Sequence, residues 1–154
     1  MVTSDQVNAL RAGDLDIGIA RPSVTAMQRI VIAEELEDPF CLAVPEGHAL
    51  ARQRRIELPG ISGEAFVFFT QQMGPAYFDQ IVGLCTDAGF SPNIRYQAST
   101  LYGVLDLVSA GLGVGIVPAS AAMLGRKQLV IRSIVDPTRR CSMALLHRRA
   151  RPMR

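Results

Sequence analysis

Cysteine and histidine are scarce in this chain, and their scarcity removes whole classes of chemistry. There are three cysteines, Cys41, Cys85 and Cys141, and two histidines, His48 and His147. The cysteines are odd in number, widely separated and without a CxxC pair, which argues against a disulfide scaffold and against a zinc site. All three stand among apolar residues and read as buried free thiols. His48 lies in the turn-like PEGHAL stretch and His147 beside two arginines, so each reads as a structural or solvated side chain. No GxSxG elbow, HExxH helix, P-loop lysine motif or metal-spaced cluster occurs. Neither catalysis, nor a cofactor, nor a bound metal is expected.

Long apolar runs are missing too. None approaches the roughly 20 residues needed to span a bilayer, so no membrane partner is expected. MVTSDQVNAL has no basic stretch followed by an apolar one, so no secretory signal is expected. With free thiols, this points to a cytoplasmic location.

Charge of one sign is equally sparse: the net charge is +2 and the isoelectric point about 8.6. So small an excess does not by itself indicate nucleic acid. Arg52, Arg54 and Arg55, and Arg148, Arg149, Arg151 and Arg154, come without a recognition helix or interleaved aromatics and read as solvated surface. Asp14 and Asp16 flank a strand, while Glu34, Glu35, Glu37 and Asp38 crowd EELEDP and read as a solvated acidic turn.

What the chain does have is core material. Hydrophobic residues make up 49% of 154, enough for one ordinary domain or two small lobes. The most informative stretch is Ser99 to Pro118. Leu101, Leu105, Val108 and Leu112 repeat at helical spacing, Ser99 or Thr100 can cap the first turn, and Gly111 suits a helix stop. Val114 to Val117 then reads as a strand covered on both faces, the usual state of a parallel strand.

Upstream, Val7 and Leu10 suggest a short helix capped by Ser4 or Asp5 and stopped at Gly13. A strand follows over Leu15 to Ala20. Ile30 to Ile32, Phe40 to Val44 and Phe66 to Phe69 are further strands. Proline at position 75 favours a helix start. That helix buries Phe78, Ile81, Val82 and Cys85 and ends at Gly89. Ile94 to Ala98 alternates as a half-buried strand. A short helix over Ala119 to Leu124, a strand over Leu129 to Val135 and a last strand over Cys141 to His147 complete the chain.

The alternation over 66–135 predicts a doubly wound α/β lobe. The expected organisation is lobe I from 1–45 and 138–150, lobe II from 46–137, and a tail at 151–154. The chain opens on a helix with no strands before it, so the first lobe is expected to be incomplete and the chain an N-terminally truncated piece.

In open α/β sheets, ligands bind beyond the carboxyl ends of strands, where helix N-termini favour anions. Three such places exist here. Strand 66–69 leads to Thr70, Gln71, Gln72 and the Pro75 helix, strand 94–98 to Ser99 and Thr100, and strand 15–20 to Arg21. Tyr77 adds an aromatic wall with a polar tip. Together they describe a site for a small organic anion. AGLGVG is similar at first sight to a dinucleotide loop, but its glycines follow a helix and precede a strand, the wrong order for cradling phosphate.

LRAGDLDIGIA, EDPFCLAVPEGHALA, AGFSPNIRYQAS and LDLVSAGLGVGIVPAS, in that order and spacing, resemble the effector-binding domain of LysR-type transcriptional regulators over nearly the full chain. The family's usual HPL is His48-Ala49-Leu50 here, a change confined to a turn. The resemblance implies two Rossmann-like lobes of the type 2 periplasmic-binding-protein fold with a small effector, here an organic acid, in the cleft between them. It carries effector contacts onto Gly74, Pro75, Ala76 and Tyr77, onto Ser99, Thr100 and Leu101, and onto the end of strand 15–20 near Arg21. Gln71 joins them from its place at the strand end. It further implies a homodimer or tetramer, with DNA bound only through a helix-turn-helix domain absent from this chain. A periplasmic-type solute-binding protein for a small anion is the alternative on the same fold.

Overall fold

The computed structural model describes residues 1–21 and 28–149. The chain forms two compact units, Met1–Glu37 with Ser142–Arg154, and Asp38–Cys141. The expected tail at 151–154 lies outside the described residues.

The first unit contains helix α1 (Thr3–Ala12) and strands β1 (Ile17–Ala20), β2 (Ile30–Glu37) and β9 (Ser142–Arg148). β9 is central and antiparallel to both neighbours. Val7 and Leu10 of α1 pack on Ala20, Ile30, Ala144 and Leu146. Gly18 makes room for this helix, because a Cβ there would lie 3.0 Å from Gln6 Oε1 and 3.2 Å from Leu10 Cδ1. Alternate β1 residues point the other way: Ile17 is 60% and Ile19 59% exposed.

Two expectations for this unit are corrected. Ser4 and Asp5 lie inside α1, whose N-cap is Val2 with no side-chain bond. Glu34, Glu35 and Glu37 are not a turn but the exposed end of β2, paired with Leu145, Ala144 and Ser142. An edge strand can carry such charge because one side of its ladder and one face meet water. Ser142 Oγ donates to the Glu35 carboxylate.

The second unit runs β3 (Phe40–Pro45), β4 (Arg55–Ile56), β5 (Ala65–Phe69), α2 (Pro75–Asp87), β6 (Asn93–Ala98), α3 (Leu101–Ser109), β7 (Gly115–Pro118) and β8 (Leu129–Ile134), with 3-10 turns at Ala49–Arg52, Leu58–Ile61 and Ala119–Leu124. β4, β8, β3 and β7 are hydrogen-bonded in that order, and β5 pairs with β6. A parallel bridge between Phe66 and Val114 joins the two sets. Gly113 permits that join, since a Cβ there would sit 2.4 Å from Ala65 O.

The two faces of this sheet are covered by different helices. Phe40, Leu42, Val44, Phe66 and Phe68 pack with Ile81, Leu84 and Cys85 of α2. Ala43, Val67 and Val117 pack with Val104, Leu105 and Val108 of α3. Such double cover is why β3 and β5 read as unbroken apolar runs.

The doubly wound expectation holds for β5–α2–β6–α3–β7 and changes beyond it. β7 is parallel to β5 only through the Val114 bridge and antiparallel to β3. The segment 119–124 is a 3-10 turn, after which β8 returns antiparallel to β3. β3 itself lies between β7 and β8, so the units divide at Glu37/Asp38 and Cys141/Ser142 rather than at 45/46 and 137/138. The stripe on α3 runs through Val104 as well as Leu105 and Val108, whereas Leu112 is 39% exposed beyond the helix end.

Asp38 is buried, not solvated: its carboxylate accepts from the backbone N–H and hydroxyl of Ser120. Its own N–H donates to Cys141 O at 2.9 Å. Among the described residues, no helix is long and apolar enough to cross a membrane.

Candidate functional site

β5 and β6 run parallel, with Phe69 opposite Ala98. The Thr70 N–H donates to Ala98 O at 3.0 Å, so the two strands leave the sheet side by side. From there Thr70–Gly74 leads into α2, and Ser99 and Thr100 lead into α3.

Each helix starts where local chemistry dictates. Pro75 has no N–H to leave unpaired and a φ already suited to a helix. Gly74 before it allows the loop to turn tightly, because a Cβ there would stand 2.9 Å from Phe69 Cε1. On the other helix, Thr100 Oγ1 accepts the Gly103 N–H at 3.0 Å. Gly103 lets that first turn sit close to β6, since a Cβ would be 2.9 Å from Ala98 Cβ. Neither helix has an acidic residue in its first turn. Two partly positive helix starts therefore share one edge of the sheet, and that edge favours an anion.

Eight of the nine expected site residues gather along this edge of the second unit. Gln71, Pro75, Ala76, Ser99 and Thr100 are exposed, while Gly74, Tyr77 and Leu101 are half-buried. Gln71 Nε2 donates to Asp79 Oδ1 at 3.3 Å, which ties the loop to its own helix. Tyr77 packs its ring against Phe40 and Phe69, at centroid distances of 5.9 and 6.1 Å. Its hydroxyl donates to Ile116 O at 3.4 Å, so the expected polar tip is engaged with β7. Leu101 packs on the α3 side of the core. Arg21 belongs to the other unit, where it follows β1 and its guanidinium donates to Ser142 O at 3.5 Å.

Thr70 stands out for a reason the sequence does not show. Its Oγ1 is buried and, among the described residues, has no hydrogen-bond partner. Its position, first past the apolar run of β5, had already placed it with Gln71 and Gln72 at the strand end.

His48 is engaged through both ring nitrogens. His48 Nδ1 accepts the Leu50 N–H at 3.1 Å, so Nε2 carries the proton and donates to Glu64 Oε2 at 3.0 Å. Burial pushes the Cys85 thiol up to about 11. The Cys41 thiol is also raised, by burial first and by the Asp38 charge second.

A family model described as LysR substrate binding domain matches residues 1–154. The chain is 32% identical over 138 residues to the HTH-type transcriptional regulator CatR of Pseudomonas putida, a match covering 88% of this chain and 46% of that one. It thus spans about half the length of that relative. Among solved structures, the BenM effector binding domain with its effector benzoate aligns with a TM-score of 0.82 and 21% identity, over 99% of this chain and 69% of that one. The effector binding domain of QuiR in complex with shikimate aligns with a TM-score of 0.82 and 20% identity, over 100% of this chain and 72% of that one.

Proposed function

The chain belongs to the LysR substrate binding domain family, and from that membership we propose that it is the effector-sensing part of a LysR-type transcriptional regulator. Its fold is the type 2 periplasmic-binding-protein-like α/β fold of those effector-binding domains. The effector in this reading is a small organic acid. One observation carries it: the parallel ends of β5 and β6 deliver two helix starts, free of acidic first-turn residues, to one edge of the second unit. Benzoate and shikimate, the acids bound by the two aligned domains, carry the charge such an edge favours.

In the same reading, Gln71, Gly74–Tyr77 and Ser99–Leu101 supply the contacts. The effector shifts a balance between two conformations by as much as its affinities for them differ. The output reaches DNA through a helix-turn-helix domain outside these residues, in a cytoplasmic homodimer or tetramer. The first unit is part of a larger lobe. Ile17 and Ile19 lie open on the face away from α1, and the chain spans only 69% and 72% of the two domains it aligns with.

A thermal-shift titration of this chain with benzoate, shikimate and short aliphatic acids tests the reading. Binding to the native state alone raises stability by mass action, by about 2.7 kcal/mol at a hundredfold excess over Kd. A shift with at least one acid, and none with the matching amides, is expected. No shift with any acid at millimolar concentration overturns the reading.

A further inference from the structure

We infer that the second unit carries a separate site for a small organic cation, an amine or guanidine on a short aliphatic stem. The site is a groove of about 270 Å3 at the carboxyl end of α2. Its floor is apolar: Leu58 and Pro59 come from one 3-10 turn, Leu84 and Ala88 from the end of the helix, and Val135 from just beyond β8. Its rim is acidic, with Glu57, Asp87 and Asp136. None of these residues lies at the helix starts, so the site stands whether or not an acid binds there.

The fold brings the three carboxylates to one groove. β4 and β8 pair Ile56 with Ile134, and the Val135 N–H donates to Ile56 O at 2.8 Å, which sets Glu57 beside Val135 and Asp136. Thr138 and Arg139 then tie the chain to Asp87, at 2.6 and 3.0 Å. Both bonds end on Oδ2 and leave Oδ1 open among the described residues. Glu57 and Asp136 form no side-chain hydrogen bond or ion pair among the described residues. Arg139 is engaged with Asp87 and lies against α2 at Gly83, outside the groove lining. α2 also ends here on its partly negative terminus, with no basic residue in its last turn.

The groove thus joins an apolar floor to an uncompensated negative rim, and the two features select one chemistry. A cation on an aliphatic stem lays its methylenes on the floor and keeps its charged head among the carboxylates. A carboxylate is repelled by the rim, an alcohol of the same length uses only the floor, and a bare cation uses only the rim. Either part alone is weak, because exposed ion pairs contribute little and the floor covers only a few methylenes.

The test uses this 154-residue chain with butylguanidinium as probe, followed by backbone amide shifts in a titration. 1-Butanol supplies the stem without the charge, and guanidinium chloride the charge without the stem. Butylguanidinium should move the amides of Glu57, Ala88, Asp136 and Thr138 together and bind at least about tenfold more tightly than either fragment. A double variant, Glu57→Gln with Asp136→Asn, removes two charges from exposed side chains. Asparagine tolerates the left-handed backbone at position 136, where φ is 41°. Without ligand this variant should melt at the wild-type temperature or above it, since like charges are removed; it should bind the probe about tenfold more weakly. Binding no tighter than that of 1-butanol, equal binding by wild type and variant, or shifts confined to other residues overturns the site. Binding of the peptide acetyl-Ala-Arg-Ala-amide without binding of butylguanidinium overturns it too, and makes the occupant a protein side chain. Failure of the acid panel leaves this result standing, and failure here leaves the acid-binding reading standing.

Discussion

Both carboxylate oxygens of Asp38 are taken by one residue, Ser120: Oδ1 accepts its backbone N–H at 2.8 Å and Oδ2 its hydroxyl at 2.7 Å. The pair closes the start of the 119–124 turn against the first residue of the second unit. Asp38→Ala removes both acceptors and leaves two donors short of a partner. It should lower the unfolding free energy by about 2–3 kcal/mol, and Ser120→Ala by about 1 kcal/mol. Urea denaturation of the two variants measures both. A smaller loss for Asp38→Ala than for Ser120→Ala would contradict this account of the pair.

Thr100 serves its helix and stands among the proposed effector contacts. Thr100→Ala should lower stability by about 1 kcal/mol through loss of the Gly103 bond, while Thr100→Ser should keep it. Calorimetric titration with benzoate, run well below both melting temperatures, separates the two roles. Weaker binding in the alanine variant and normal binding in the serine variant are expected. Unchanged binding in both would leave Thr100 as a helix cap only.

The thiols should be silent in the native state. All three are buried, and at pH 8 a thiol pushed up to about 11, as Cys85 is, is thiolate in only about one part in a thousand. Ellman's reagent should release no colour on mixing and three equivalents once guanidinium is added. A fast native equivalent at pH 8 would show a thiol more open than the structure allows.

Asp87 sets part of the acid limb. Hydrogen bonds from Thr138 first and Arg139 second, at 2.6 and 3.0 Å, hold its carboxyl below the usual carboxylate range. Its folded value is therefore lower than the unfolded value of about 3.9, so its contribution is complete above that pH and fades as pH falls through the folded value. Asp87→Asn should lower the melting temperature at neutral pH and flatten its decline below about pH 4. Melting curves across that range decide it. Parallel declines for wild type and variant would remove Asp87 from the acid response.

Much of the second unit was legible because its signals are local. Pro75 marks a helix start whatever surrounds it, and Thr100 caps α3 through a bond three residues long. β5, α2, β6 and α3 could therefore be placed from periodicity and punctuation. What escaped depends on partners far along the chain. Nothing in Phe40–Pro45 says that it will lie between β7 and β8, yet that pairing moves the boundary between units from 45 to 37. Glu34, Glu35 and Glu37 look like a turn until β9, over a hundred positions away, supplies the ladder that extends them.

The site divides along the same line. Ser99, Thr100 and the Pro75 helix start lie where strands end, so spacing places them at this edge, whereas Gly74 and Ala76 came with the family resemblance. Thr70 stands with Gln71 and Gln72 at the end of the β5 run, and its position is legible too. What sets it apart is burial without a partner, a property that exists only once β5, β6 and the loop have come together. Arg21 follows β1 in the other unit, as its strand predicts, and its guanidinium donates to the Ser142 carbonyl there.

The bond from the Asp38 N–H to Cys141 O spans the whole second unit in sequence but only 2.9 Å in space. The second unit thus enters and leaves at one point, as an insert within the first. Its two ends can be joined by a short linker and new ends opened in an exposed turn such as Gly47, yielding a circular permutant with the same core. In evolutionary terms, a segment whose ends meet can be exchanged between relatives as a cassette, carrying both of its helix starts with it.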